Sequence, residues 1–226
     1  MQELYNKLKQ YGIEDAIKIE ESDRQYIALK KLGDNIENKE VYLSLIIANS
    51  IICYQLSGKG ENYWEEFSDY FIKFPIFNKE IGGLLSALGK FIKTSKNNKR
   101  FIDTKIKRLK KLEPFLGTFF GKEDYFYKNM LELRDKLAKT MKQKNDAKTI
   151  VFAVKMFSYG ARNIFDLIYF PEEISIPIDS RITKLFEKYK GEYTDISKFY
   201  FELSKTLNIP ELHLDALVWV NYDELI

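Results

Sequence analysis

Apolar side chains recur along most of this chain at helical spacing. Leu43, Ile46, Ile47, Ser50, Ile51 and Tyr54 fall on one face of a helix, as do Leu84, Leu85, Leu88 and Phe91. The pattern predicts helices over 1–11, 22–32, 39–56, 60–74, 78–94 and 101–115, and then over 122–141, 146–169, 180–189, 195–207 and 211–222. Alternation of period two is scarce. Its one short case, ISIPIDSR at 174–181, contains Pro177 and places an Asp ahead of a helical run, so it reads as a loop feeding a helix. Thr194 or Asp195 can cap one helix, and Pro210 can open the last. Breaks fall at Gly58–Gly60, Asn97–Asn98, 142–145 and the Pro-containing stretch 170–179. With no repeat and no low-complexity linker, the expectation is an all-α chain forming one helical domain over 1–226. Two helical lobes with a cleft between them would suit that length, with a hairpin-like element at about 125–165.

Composition narrows the chemistry. A chain of 226 residues, 45% hydrophobic and 31% charged, can bury a full core without crosslinks and is not of disordered type. One cysteine, Cys53, excludes an intrachain disulfide, a Cys-rich zinc site and a four-cysteine iron–sulfur cluster. A single histidine makes imidazole-based metal catalysis a poor fit, so no metal is expected. No stretch approaches 18 uninterrupted apolar residues, and MQELYNKLKQ lacks the apolar region of a signal peptide. The expected location is cytoplasmic, with no membrane association.

The net charge of +3 conceals an uneven distribution. Residues 1–89 carry 10 basic and 14 acidic side chains, residues 90–162 carry 20 and 7, and residues 163–226 carry 6 and 12. The middle is therefore +13 between acidic flanks. KFIKTSKNNKRFIDTKIKRLKK holds ten Lys/Arg and one Asp, and Lys136, Lys139, Lys142, Lys144 and Lys148 follow. A solvated face opposite neighbouring carboxylates would explain one such run. Ten like charges in 22 residues repel one another, however, and a polyanion relieves that repulsion. Nucleic acid is the leading class of partner. An acidic protein or a membrane surface remains an alternative.

Several residues could carry chemistry. Lys148 opens the apolar run TIVFAVKMFSYG, where partial burial and the positive end of a helix dipole would both favour a neutral, nucleophilic amine. The same pattern also allows a merely solvated lysine. Asp179 precedes the helix SRITKLFEKYK and reads as a cap; a carboxylate so held stays ionised and can face developing positive charge. Trp64 and Trp219 are each ordinary core anchors or ligand platforms, and Asp215 lies one turn before Trp219. Lys155 follows Lys148 by two turns and interrupts an apolar stretch, so it needs a partner or a polar pocket. Gln25, in ESDRQYIALKKL, can be exposed without functional consequence.

Taken together, KTIVFAVKMFSYGAR at 148–162, FPEEISIPIDSR at 170–181, GKGENYWEEF at 58–67 and LHLDALVWV at 212–220 resemble the archaeal 8-oxoguanine DNA glycosylases with abasic-site lyase activity. These are a divergent branch of the helix-hairpin-helix DNA glycosylases, and the resemblance covers essentially the whole chain. It implies Lys148 as Schiff-base nucleophile and Asp179 as catalytic aspartate. It further implies Trp64 and Trp219 as walls stacking on the flipped base, with Gln25, Lys155 and Asp215 as polar groups around it. Double-stranded DNA carrying 8-oxoguanine is the implied partner, with single-stranded DNA as a further candidate, acted on by a monomer in base excision repair. One departure from the wider superfamily is plain: MKQKNDA, ahead of Lys148, has no glycine where a Gly-rich hairpin usually binds phosphates. The alternatives are a glycosylase for another damaged base and a non-enzymatic helical module that binds nucleic acid through the basic middle.

Overall fold

Helix formation follows the 3.6-residue pattern and its caps. In the computed structural model, which describes residues 1–77 and 80–226, every regular element of the described residues is helical. The elements divide into two units, one formed by residues 24–168 and the other by residues 1–23 with 169–226.

The larger unit is built on two helices that are apolar nearly all round. Helix α4 (Lys39–Ile52) begins where the Asn38 side chain accepts the Val41 N–H at 2.8 Å. Almost all of its residues are buried. It packs against α10 (Lys148–Ala161), whose residues from Ala153 to Ala161 are all buried. Gly160 makes the close approach possible, since a Cβ there would lie 2.3 Å from Ile46 Cδ1. Around this pair stand α3 (Arg24–Gly33), α5 (Gly60–Lys73), α6 (Ile81–Thr94), α7 (Ile102–Phe119), α8 (Glu123–Lys128) and α9 (Met130–Met141). The smaller unit comprises α1 (Gln2–Leu8), α2 (Ile13–Ser22), α11 (Ser180–Tyr189), α12 (Ile196–Leu207), α13 (Glu211–Val220) and α14 (Tyr222–Leu225). Its core joins Leu4 and Leu8 to Ile182, Leu185, Phe199, Tyr200, Leu203, Leu214 and Leu217.

The differences from the sequence pattern have local causes. The run 122–141 is two helices, because Asn129 leaves helical geometry and turns its side-chain amide onto the Tyr125 carbonyl at 2.8 Å. The helix expected to reach 169 ends at Ala161; Phe165 then stacks on Tyr127, and the Ile168 N–H donates to the Tyr127 hydroxyl. Helix α4 stops at Ile52 rather than 56, and α7 continues past Pro114 to Phe119. Helix α2 is not in the expected set, although Gly12 donates to Asp15 Oδ2 at its start. The expected helix start at Asn78 lies outside the described residues, and α6 is described from Ile81.

Candidate active site

Lys148 is the first residue of α10. The turn before it contains no glycine and is closed by other means. Lys142 adopts left-handed geometry at φ 53° and caps α9, its N–H directed at the Ala138 and Lys139 carbonyls. From α7, Lys111 Nζ donates to the Met141 carbonyl at 2.6 Å, and Arg108 donates to Gln143 Oε1 at 2.9 Å. Thr149, beside Lys148, donates to the same Gln143 oxygen at 3.1 Å. Part of the basic segment therefore holds the turn that presents Lys148.

Lys148 lines a cavity of about 380 Å³ with Cys53, Tyr54, Gln55, Arg108, Gln143, Thr149 and Phe152. The partial burial expected of Lys148 is not found, for the residue is exposed. The buried face of α10 starts at Ile150, so its first residue projects to the rim. Cys53 is a poor rival nucleophile in that cavity. Burial of its sulfur pushes the thiol up to about 12, against smaller opposing effects from Lys105, Trp64 and Lys148. Lys105 is fully buried, bonded to Asn98 Oδ1 and 4.9 Å from the Tyr54 ring centre. That burial draws its amine down to about 8.

The same unit gathers three more of the expected residues. Gln25, on α3, is buried, with its amide nitrogen 3.4 Å from where a Cβ on Gly60 would stand. Trp64, on α5, is 0% exposed, edge-on to Phe67 and tilted against Phe152 at 6.3 Å between centroids. Phe152 thus links the indole to the Lys148 cavity. Lys155 is buried, its ammonium 5.4 Å from the Tyr159 ring centre.

The smaller unit gathers the rest. Asp179 caps α11, with Oδ1 accepting the N–H groups of Arg181 and Ile182, both at 2.9 Å. Arg181 places its guanidinium 3.9 Å from the Trp219 ring centre. Asp215 is buried one turn before Trp219 on α13. Burial, then Asp215 and Asp179, raise the Tyr200 hydroxyl above its ordinary range, so this tyrosine stands near both carboxylates. Two buried side chains of α13 fasten the segment that delivers Asp179. His213 Nε2 accepts the Phe170 N–H at 3.1 Å, and Glu211 Oε2 accepts the Ile176 N–H at 2.9 Å. With Nε2 accepting, the His213 proton sits on Nδ1 and points to Glu20 Oε1 at 2.8 Å.

Arg108, Gln143, Arg181, Glu211 and His213 are not among the residues that the sequence singles out. Arg181 stands two residues from Asp179 and could have been noticed. The others gain meaning only through contacts distant in the chain.

A family model described as N-glycosylase/DNA lyase, AGOG, matches residues 5–225. The chain belongs to the AGOG family. It is 42% identical over 220 residues to an N-glycosylase/DNA lyase of Thermococcus kodakarensis, covering 96% of this chain and 81% of that protein. The corresponding protein of Methanococcus maripaludis is 41% identical over 205 residues, covering 88% and 78%. Among solved structures, Pa-AGOG, an 8-oxoguanine DNA glycosylase of Pyrobaculum aerophilum complexed with 8-oxoguanosine, matches with a TM-score of 0.83 and 26% identity over 98% of this chain and 86% of its own. As an AGOG member the chain is an enzyme, a DNA N-glycosylase with lyase activity. No helix among the described residues is long and apolar enough to cross a membrane.

Proposed function

We propose that this enzyme removes 8-oxoguanine from DNA through a Schiff base on Lys148 and then cuts the abasic strand by β-elimination. The observation that carries the reading is Lys148 itself, the first residue of α10 at the wall of a cavity whose only thiol is held neutral. The 8-oxoguanosine complex of Pa-AGOG supports the choice of base.

A base inside a duplex must leave the stack before its sugar can be attacked, at a cost of about a few kcal/mol. Trp219 supplies an indole face worth roughly 1–3 kcal/mol when a base stacks on it, and Trp64, enclosed by Phe67 and Phe152, offers its own once those rings shift. Gln25, Lys155 and Asp215 supply the polar edge contacts. Guanine and 8-oxoguanine differ by the C8 carbonyl and the N7 proton, so an acceptor facing N7 binds the lesion and meets ordinary guanine acceptor to acceptor. Lys148 Nζ then attacks C1′ as the C1′–N9 bond breaks, and the electron pair leaves with the base. Asp179, fixed by two backbone N–H groups, stabilises positive charge on the sugar and helps to take the amine proton. The sugar ring then opens at C1′–O4′, with O4′ taking a proton, and leaves an iminium on Lys148 that acidifies the C2′ proton; loss of that proton expels the 3′ phosphate and breaks the strand. No cofactor takes part.

Asp179→Asn tests this reading. Asparagine caps a helix as well as aspartate, so folding and DNA binding should persist. Single-turnover base release should fall by about 10²–10³, as when an electrostatic stabiliser is removed. Unchanged release would remove Asp179 from the chemistry. A panel of duplexes bearing 8-oxoguanine opposite each normal base, beside other damaged bases, should show incision confined to 8-oxoguanine. Faster incision at another lesion would reassign the substrate.

A further inference from the structure

Residues 95–101 connect α6 to α7 and take no part in the chemistry above. Phe101, the last of them, is 54% exposed, with its backbone left-handed at φ 57° and ψ 34°. That region disfavours any bulky side chain, whereas glycine or asparagine could make the same turn at less cost. Lys96, Lys99 and Arg100 are exposed on the same turn.

The turn itself is firmly held. Glu66 accepts from the Lys96 N–H at 2.6 Å, the Ser95 hydroxyl at 2.8 Å, and the Asn97 side-chain amide and N–H at 2.9 and 3.1 Å. The Asn97 carbonyl accepts the N–H groups of Ser57 and Gly58, and the Lys99 N–H donates to the Ser57 hydroxyl at 3.1 Å. That neighbouring loop carries Cys53, Tyr54 and Gln55 into the wall of the Lys148 cavity. An exposed aromatic side chain thus ends a firmly held turn that carries three exposed cations, one loop away from the candidate nucleophile. Lys105, Arg108 and Lys111, further along the same basic segment, are satisfied by Asn98, Ile51, Gln143 and Met141 oxygens, which are neutral and cancel nothing.

We propose that Phe101, Lys96, Lys99 and Arg100 form a DNA-contacting platform, on which a nucleobase unstacked by opening of the duplex lies against the phenyl ring while the three cations take adjacent phosphates. The pairing of one π face with several exposed cations suits a strand whose bases and phosphates alternate. The inference rests on the reading of this enzyme as one that opens DNA.

Fluorescence anisotropy with a labelled duplex containing 8-oxoguanine tests it, using Lys148→Ala protein so that the strand stays intact. Adding Phe101→Asn should weaken binding about tenfold, within the range for loss of one base–aromatic stack, while the melting temperature holds or rises. Adding Phe101→Trp should leave affinity within about twofold. Replacing Lys96, Lys99 and Arg100 by serine should lower the slope of log K against log salt by about 0.9 for each phosphate no longer neutralised. Unchanged affinity on adding Phe101→Asn, or a fall in affinity in step with a lower melting temperature, would overturn the platform. So would Phe101-dependent binding to phosphatidylserine vesicles in place of DNA. None of these results touches incision by the wild-type enzyme, which is measured separately and tests the glycosylase reading.

Discussion

Two amines and one thiol compete for the role of nucleophile around the Lys148 cavity, and their surroundings separate them. Cys53 keeps its proton at neutral pH because burial opposes the thiolate. Lys105 loses its proton readily, with a value near 8, yet it is enclosed and bonded to Asn98. Of the three, Lys148 combines an amine with access to the cavity. At the same scale, Glu211 makes a pH prediction. Burial raises its carboxyl from 4.5 to about 7, with the Ile176 N–H opposing in part. The folded protein therefore binds this proton more tightly than the unfolded chain. The associated stability is complete below about 4.5 and is lost as pH rises through about 7. Glu211→Gln keeps an acceptor for Ile176 and cannot titrate. In urea unfolding, the stability of wild type relative to this variant should fall by up to about 3 kcal/mol between pH 5 and 8. A pH-independent difference would refute the raised value.

At the scale of elements, the contact between α4 and α10 sets the position of the helix that starts with Lys148. Gly160→Ala places a methyl where Ile46 Cδ1 now lies and should cost about 1–3 kcal/mol by overpacking. Combining it with Ile46→Val, which removes that atom, should recover most of the loss in a double-mutant cycle of denaturant unfolding. Additive effects would contradict this packing. The core faces of both helices were legible in the sequence because their apolar residues follow the helical period. Helix ends were less legible. Asn129 breaks a helix through its own side chain, and Phe165 leaves one to reach Tyr127, an interaction that no local pattern encodes. The glycine-free turn is another case, since Arg108 and Lys111 hold it from α7, about 30 residues or more away along the chain.

Across the whole molecule, the uneven charge acquires two meanings. Lys105, Arg108 and Lys111 serve the fold, whereas Lys96, Lys99 and Arg100 stay at the surface. Charge counting could reveal the basic middle but could not separate these groups, because both occupy one continuous run of lysine and arginine. The candidate residues were recognisable because their motifs lie in a characteristic order along the chain. The structure adds their local surroundings: the Asp179 cap, the Arg181–Trp219 stack, and the Lys148 cavity. The central claim is the Schiff base on Lys148, and borohydride reduction during reaction with an 8-oxoguanine duplex tests it most directly. Wild-type protein should become covalently joined to DNA, peptide mapping should place the adduct on Lys148, and Lys148→Ala should yield none. An undiminished adduct in that variant, or one mapped to Lys105, would contradict the claim.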